Sequence, residues 1–222
     1  MQRLSASAYN TWMKLPVIVF TAALLVHNVQ GLAAFVQRQG ADWASPLSLA
    51  VLASRLAILV FMALLLALYA VRLDPMDKAR GLQPRVVAVL GTVWTLSMLW
   101  LRPAPNVAWV DALSCALVLL GSLCAAWTTW HLGRSLSVMA EARRLVTTGP
   151  YRWVRHPLYL CEAVSTIGAF LLFRSALAAV IVLVHWGLQL QRMRHEECVL
   201  ERAFGAYAQY RKRTAFLLPG LW

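Results

Sequence analysis

"LSLAVLASRLAILVFMALLLALYAV", residues 47–71, holds one formal charge, Arg55, in an otherwise apolar run. A helix needs about 20 such residues to cross a hydrocarbon core of roughly 30 Å, and this run is long enough. Comparable runs recur on both sides of it, at residues 15–35, 86–101, 109–130, 157–173 and 176–191. Within lipid every backbone N–H and C=O must be paired inside its own segment. The expected fold is therefore all-α, a polytopic membrane helical bundle of about six spans. The last two runs are short and separated only by Arg174 and Ser175, so they read as a tight C-terminal hairpin.

Composition agrees. The chain is 60% hydrophobic and only 14% charged, too few charges to cover a soluble globule of 222 residues. The first run exceeds a signal-peptide core, and no small-residue cleavage site closes it, so it is expected to remain in the mature protein. Arg outnumbers Lys 18 to 3 alongside heavy Ala and Leu use, which points to a high-GC bacterial source and a bacterial cytoplasmic membrane.

The net charge of +12 could suggest nucleic acid, but its distribution points elsewhere. With six spans, the side of the N-terminus carries Arg3, Lys14, Arg72, Lys78, Arg80, Arg85, Arg134, Arg143, Arg144, Arg152, Arg155 and every basic residue from Arg192 onward. The opposite side carries Arg38, Arg102 and Arg174. This imbalance puts both termini in the cytoplasm and makes anionic lipid headgroups the partner of the positive charge. No soluble domain presents a basic face to nucleic acid.

Metal chemistry has no support either. Cys115, Cys124, Cys161 and Cys198 show no Cys-x-x-Cys spacing, and "HEECVL" from His195 has Val199 where a zinc-protease motif needs its second histidine. No metal is expected.

The chain reads as a single membrane domain, 1–222, with two unlike halves. Residues 1–130 form four scaffold spans, in which Arg55 either snorkels to the near headgroups or lines a cavity. Asp74, Asp77 and Lys78, with Pro75 and Gly81, are expected to form a solvated loop. Residues 131–222 hold the chemistry. "LVTTGPY", residues 145–151, is expected to be extended and to close in a turn at Gly149 and Pro150. Pro157 suits a first helical turn, where its missing N–H costs nothing, so His156 sits at a helix mouth. Past the hairpin the last span continues as a charged cytoplasmic helix. Gln189, Arg192 and Glu196 fall on one face of it. The alternative is an exposed helix with pairs Arg192–Glu196 and Arg194–Glu197, each contributing about 0.3–0.5 kcal/mol. Tyr207, Tyr210 and the basic run 211–213 suit an amphipathic helix on an anionic membrane surface.

Taken in order, "GPYRWVRHPLY", a short helical hairpin, "EE" and "FGAYAQYRKR" closely resemble the C-terminal half of the isoprenylcysteine carboxyl methyltransferase family. These are integral membrane enzymes that transfer a methyl group from S-adenosylmethionine. The resemblance covers residues 132–222. It implies that Arg143, Arg144, Leu145, Val146 and Tyr151 wrap the cofactor, together with His156, Pro157, Leu158 and Tyr159 of a His-Pro-x-Tyr motif. Glu196 would bind the cofactor with Glu197 as its neighbour, and Arg192 would be the catalytic arginine that holds the acceptor. The chain departs from the family at Cys161, where glycine is common, and at Arg143, where some relatives have histidine. Cys161 is expected to tighten the pocket slightly.

The implied acceptor is a lipophilic small molecule or a lipidated substrate bearing a carboxylate. Such an acceptor is already ionised at neutral pH and needs no general base. The closing "LLPGLW" is not a prenylation box. A phospholipid or other amine N-methyltransferase is the nearest rival and would need a base such as His156, His195 or Glu197. An NADPH-dependent sterol-type reductase would have no use for the acidic pair. A non-catalytic transporter or assembly factor fits poorly, because the chain has no internal repeat and its polar residues cluster at one face. Glu162 faces either the cavity or a cation such as Arg55.

Overall fold

The computed structural model describes residues 6–40 and 45–218; Arg3 and residues 219–222 of the closing segment lie outside them. The chain is a helical bundle built from α1 (Ala6–Gln39), α2 (Pro46–Ala70), α3 (Gln83–Val93), α4 (Ala108–Leu132), α5 (Pro157–Phe173), α6 (Ala176–Ala203) and α7 (Tyr207–Arg213). Four of these, α1, α2, α4 and α6, are long and apolar enough to cross a membrane.

The other two expected spans are shorter. The third run is divided between α3 and a 3-10 helix, Trp94–Trp100. Hydroxyls compete for the backbone at the change of helix type: Thr92 Oγ1 donates to the Ala88 carbonyl at 2.8 Å and Ser97 Oγ to the Trp94 carbonyl at 2.6 Å. Because 3-10 residues rise about 2.0 Å each, the two pieces together still reach roughly 30 Å. Helix α5 has 17 residues and leans on α4 through small residues. Ser114 Oγ donates to the Gly168 carbonyl at 2.7 Å, and a Cβ on Gly168 would meet the Ser114 carbonyl at 2.8 Å. In lipid, where apolar surface gains nothing from association, such close backbone approach is what holds helices together.

The expected hairpin is present. Arg174 takes a left-handed conformation, φ 44°, between α5 and α6, and Ser175 caps α6 by accepting from the Ala178 N–H at 3.1 Å. The Arg174 guanidinium secures the turn to Asp111 at 3.1 Å and to the Pro105 carbonyl.

The loop after α2 is not the simple solvated connection that its charges suggested. Its Asp77–Lys78 (β1) pairs antiparallel with Glu141–Ala142 (β2). Arg202 of α6 clamps it through Asp77 at 3.1 Å, and Ala140, Ala142 and Val199 form a small apolar core beneath with Ala79, Leu200 and Phe204. The scaffold is thereby tied to the segment that enters the candidate site.

Candidate active site

Helices α5 and α6 pack against one another, and the chain between α4 and α5 folds across them as an irregular strap. Residues 144–147 carry no regular secondary structure, and Thr148 is extended, with φ −107° and ψ 169°. Gly149–Arg152 then form a 3-10 turn rather than a simple reversal. Gly149 has φ +59°, and a Cβ there would collide with the His131 ring. Glycine is thus required both for the conformation and for the close approach. Pro157 occupies the first turn of α5 and His156 its N-cap position, as its missing N–H predicts.

Between these elements lies a cleft of about 890 Å³, its open mouth included. It gathers Arg143, Arg144, Leu145, Val146, Tyr151, His156, Leu158, Tyr159, Arg192 and Glu196. Pro157 starts the helix that carries two of them, Leu158 and Tyr159, but does not line the cleft.

Glu196 and Glu197, adjacent in sequence, have unlike surroundings. The Tyr159 hydroxyl donates to Glu196 Oε1, while Oε2 lies 3.9 Å from His156 Nδ1, beyond hydrogen-bond reach. With 23% of its side chain exposed, Glu196 opens into the cleft. Glu197 turns away from it. Its Oε1 accepts from Arg155 Nε at 2.6 Å, from the Tyr207 hydroxyl at 2.8 Å and lies 3.2 Å from His156 Nε2. Arg155 also donates to the Thr214 carbonyl at 2.5 Å, and Phe216 stacks edge-on over His156, so Glu197 fastens the C-terminal segment to the helix mouth. Burial and the adjacent Glu197 carboxylate push the Tyr207 phenol well up, so it remains a donor. The pairs of the alternative reading, Arg192–Glu196 and Arg194–Glu197, do not form among the described residues. Arg194 is exposed, while Arg192 lies on the cleft side and Glu197 takes its partners from other elements.

The two neighbouring arginines of the strap also part ways. The Arg143 side chain is fully buried and paired with Glu141 at 2.5 Å, which Ser137 supports at 2.7 Å. Its Nη1 donates to Asn10 Oδ1 of α1 at 3.3 Å. Arg144 is exposed at the cleft with no ion-pair partner among the described residues. The walls are apolar and aromatic: Leu145, Val146, Leu158 and Tyr151. Burial, with Glu196 nearby, drives the Tyr151 phenol far above its ordinary value. Tyr210, raised by burial to about 12, donates to the Tyr151 carbonyl at 2.7 Å and holds that turn.

Arg192 lies deeper. Its guanidinium is over the Tyr159 ring at 5.4 Å, with Nη1 donating to Gln189 Oε1 at 2.9 Å and Nη2 to the Val138 carbonyl at 3.0 Å. Glu162 also lines the cleft, accepting from Gln189 Nε2 at 2.8 Å. The alternative partner, Arg55, instead sits over Phe35 at 5.4 Å in the α1–α2 pair. A carboxylate within an apolar run was the available sequence signal for Glu162. Arg155 and Tyr210 gave none, since they enter through contacts 42 and 59 residues distant in sequence, and Ser137 and Glu141, whose contacts are local, belong to no motif. Cys161 is buried outside the cleft, beside Cys124 and Thr128 of α4, so it does not tighten the pocket. Small size there serves helix packing: a Cβ on Gly121 of α4 would meet the Cys161 carbonyl at 2.8 Å.

Residues 109–207 match the family model of phospholipid methyltransferases. Over 115 residues the chain is 34% identical to the nickel-cobalt-cadmium resistance protein NccN of Alcaligenes xylosoxydans xylosoxydans, covering 51% of this chain and 53% of that one. Over 114 residues it is 34% identical to the protein-S-isoprenylcysteine O-methyltransferase of Saccharomyces cerevisiae, covering 48% of each. The chain thus spans about half the length of the curated relatives it matches. The eukaryotic intramembrane Ras methyltransferase ICMT aligns over 97% of this chain and 96% of its own, with a TM-score of 0.45 and 16% identity, too distant a likeness to carry residue roles. The family model and the isoprenylcysteine relative support the resemblance drawn from the motifs.

Proposed function

We propose that the chain is a membrane-embedded methyltransferase of the isoprenylcysteine carboxyl type, which transfers a methyl group from S-adenosylmethionine to the carboxylate of a lipophilic acceptor. The observation that carries this reading is the opposition, in one cleft, of an open carboxylate, Glu196, and a deep, aromatic-backed guanidinium, Arg192.

The residues fit the cofactor. An amino acid head needs an anion for its ammonium and a cation for its carboxylate, and Glu196 and the free Arg144 supply them. The Tyr151 ring and the wall of Leu145, Val146 and Leu158 suit a flat heterocycle. Tyr159 orients Glu196, and His156 closes the helix mouth beside it. When bound, S-adenosylmethionine supplies an electrophilic methyl on a sulfonium.

The protein's part is positioning. Arg192 aims the acceptor carboxylate, with the planar fork that suits two carboxylate oxygens. The apolar walls and the strap exclude water, which strengthens the attraction between opposite charges that disappears on transfer. No side chain needs to take a proton. The cleft would open to the cytoplasm for the polar cofactor and toward the bilayer for the acceptor, with both termini cytoplasmic.

A second reading, methylation of an amine on a phospholipid headgroup, is favoured by the phospholipid methyltransferase match and by Glu162 in the cleft. An amine must lose a proton, so its rate would rise with pH, whereas carboxylate methylation would be level from neutral pH upward. The deciding experiment is binding of S-adenosylmethionine by the detergent-purified protein, then methyl transfer to lipid-extract acceptors across pH 6–9. Retained cofactor affinity in Glu196→Ala, or undiminished transfer in Arg192→Ala, would refute the assignment.

A further inference from the structure

Arginine is a flexible side chain, and fixing its guanidinium in one orientation requires partners that do not move. Arg192 has an unusual set of them. Gln189, one turn earlier on α6, accepts from Nη1 at 2.9 Å, and the Val138 carbonyl of the strap accepts from Nη2 at 3.0 Å. Gln189 is itself 7% exposed and held by Glu162 of α5, to which its amide donates at 2.8 Å. This order matters. Because Gln189 spends its N–H on a carboxylate, its oxygen is obliged to face the guanidinium, and the amide cannot turn over without opposing N–H to N–H.

The third wall comes from the scaffold. Gly91 of α3 faces the arginine stem: a Cβ there would lie 2.8 Å from Arg192 Cδ and 3.1 Å from Gln189 Oε1. Helix α3 therefore approaches as closely as a helix can, and both side chains are pinned between it and the cleft. Among the described residues Arg192 Nε is buried and without a partner, while Nη1 and Nη2, each engaged once, each carry a second N–H for an acceptor carboxylate.

We propose that Glu162, Gln189 and Gly91 form a cradle that positions the Arg192 guanidinium for the acceptor carboxylate, so that α3 and α5 set acceptor affinity although neither supplies the arginine. This rests on the reading of Arg192 as the acceptor residue. Glu162 and Gln189 are positioning residues, acting through Arg192. Among the described residues Glu162 holds the Gln189 amide and makes no direct ion pair with the guanidinium.

The test compares Gln189→Leu, Gln189→Glu, Glu162→Gln and Gly91→Ala with the unaltered protein, full length in detergent. N-acetyl-S-farnesylcysteine serves as the carboxylate probe and S-adenosylhomocysteine as the cofactor-side probe. Gln189→Leu removes both links and is expected to raise KM for the carboxylate about tenfold, one tenfold step being about 1.4 kcal/mol. Gln189→Glu supplies a competing carboxylate and should raise it further. Gly91→Ala should raise KM several-fold from a helix that bears no polar contact, and Glu162→Gln should give the smallest rise, since an amide can still accept. S-adenosylhomocysteine affinity should stay within twofold throughout, which a general loss of structure would not allow.

If KM is unchanged in Gln189→Leu and Gly91→Ala while Arg192→Ala abolishes carboxylate methylation, the cradle is refuted and the reading of Arg192 survives. If Arg192→Ala itself methylates the probe normally, or the unaltered protein binds S-adenosylhomocysteine but never methylates a carboxylate, the reading fails and takes the cradle with it. Equal loss of cofactor and acceptor affinity in every variant would mark these residues as packing alone and overturn the proposal.

Discussion

The α1–α2 pair and the lobe around α6 and α7 are assembled by different forces. Along α1 and α2 large apolar residues stand exposed, Val19 at 66% and Val60 at 57%, and contacts between the helices include Asn28 to Met62 Sδ at 3.6 Å, Gln39 to Ser48 at 2.7 Å and Arg55 over the Phe35 ring at 5.4 Å. Outward apolar surface suits lipid, which offers no incentive to bury it. In the lobe, by contrast, Glu197 alone engages Arg155, His156 and Tyr207. There order comes from satisfying charges. A scaffold held by shape should tolerate apolar exchange, and a lobe held by a charge hub should not tolerate loss of the hub.

The largest expected break in that contrast is Glu197→Ala. It strands the Arg155 guanidinium, the His156 ring and a phenol in a region where Glu197 is 11% exposed, so we expect a loss of about 3–5 kcal/mol, read as a fall in thermal midpoint, with the C-terminal segment opened to protease. An exchange such as Val60→Leu on the lipid face should leave the midpoint unmoved. Equal midpoints for the two variants would end the distinction.

Next comes Gly149→Ala, which combines a left-handed backbone with a collision against His131. It is expected to cost about 1–3 kcal/mol and to weaken cofactor binding, because Tyr151 follows directly. Undisturbed S-adenosylhomocysteine affinity would separate the turn from the site.

The Tyr210 phenol gives an alkaline signature. Its folded value, about 12, lies above the unfolded 10, so the unfolded chain loses its proton first, and stability declines as pH rises from about 10 toward 12. Tyr210→Phe should shrink that decline in a pH series of midpoints. The mildest change is Asp77→Ala: the Arg202 partner is 48% exposed, so less than about 1 kcal/mol is at stake, and it should vanish in high salt.

Much of the bundle was legible because hydropathy is a local property. The six apolar runs, the Arg174–Ser175 turn and the helix start at Pro157 could be read from neighbours alone. So could the one face shared by Gln189, Arg192 and Glu196, which follows from helical period. The third run, broken into α3 and a 3-10 piece, shows the limit: apolar residues specify burial in lipid but not which helix the backbone chooses.

Partners lay beyond reach. The motif and its acidic pair named Glu196 and Glu197 together, yet one opens to the cleft and the other clasps the C-terminal segment, because the two side chains of adjacent helical residues diverge by about 100°. Arg143 and Arg144 divide in the same way. Arg143 reaches the cleft but commits its guanidinium to Glu141 and to Asn10, which is separated from it by 133 residues. The residue types, their order and their helical phase determined that a helical membrane bundle with its chemistry gathered in the C-terminal half would form. Which arginine is free, which glutamate is open and how closely Gly91 backs Arg192 were settled only by long-range packing, since each charge takes whichever partner the folded backbone brings within about 3 Å.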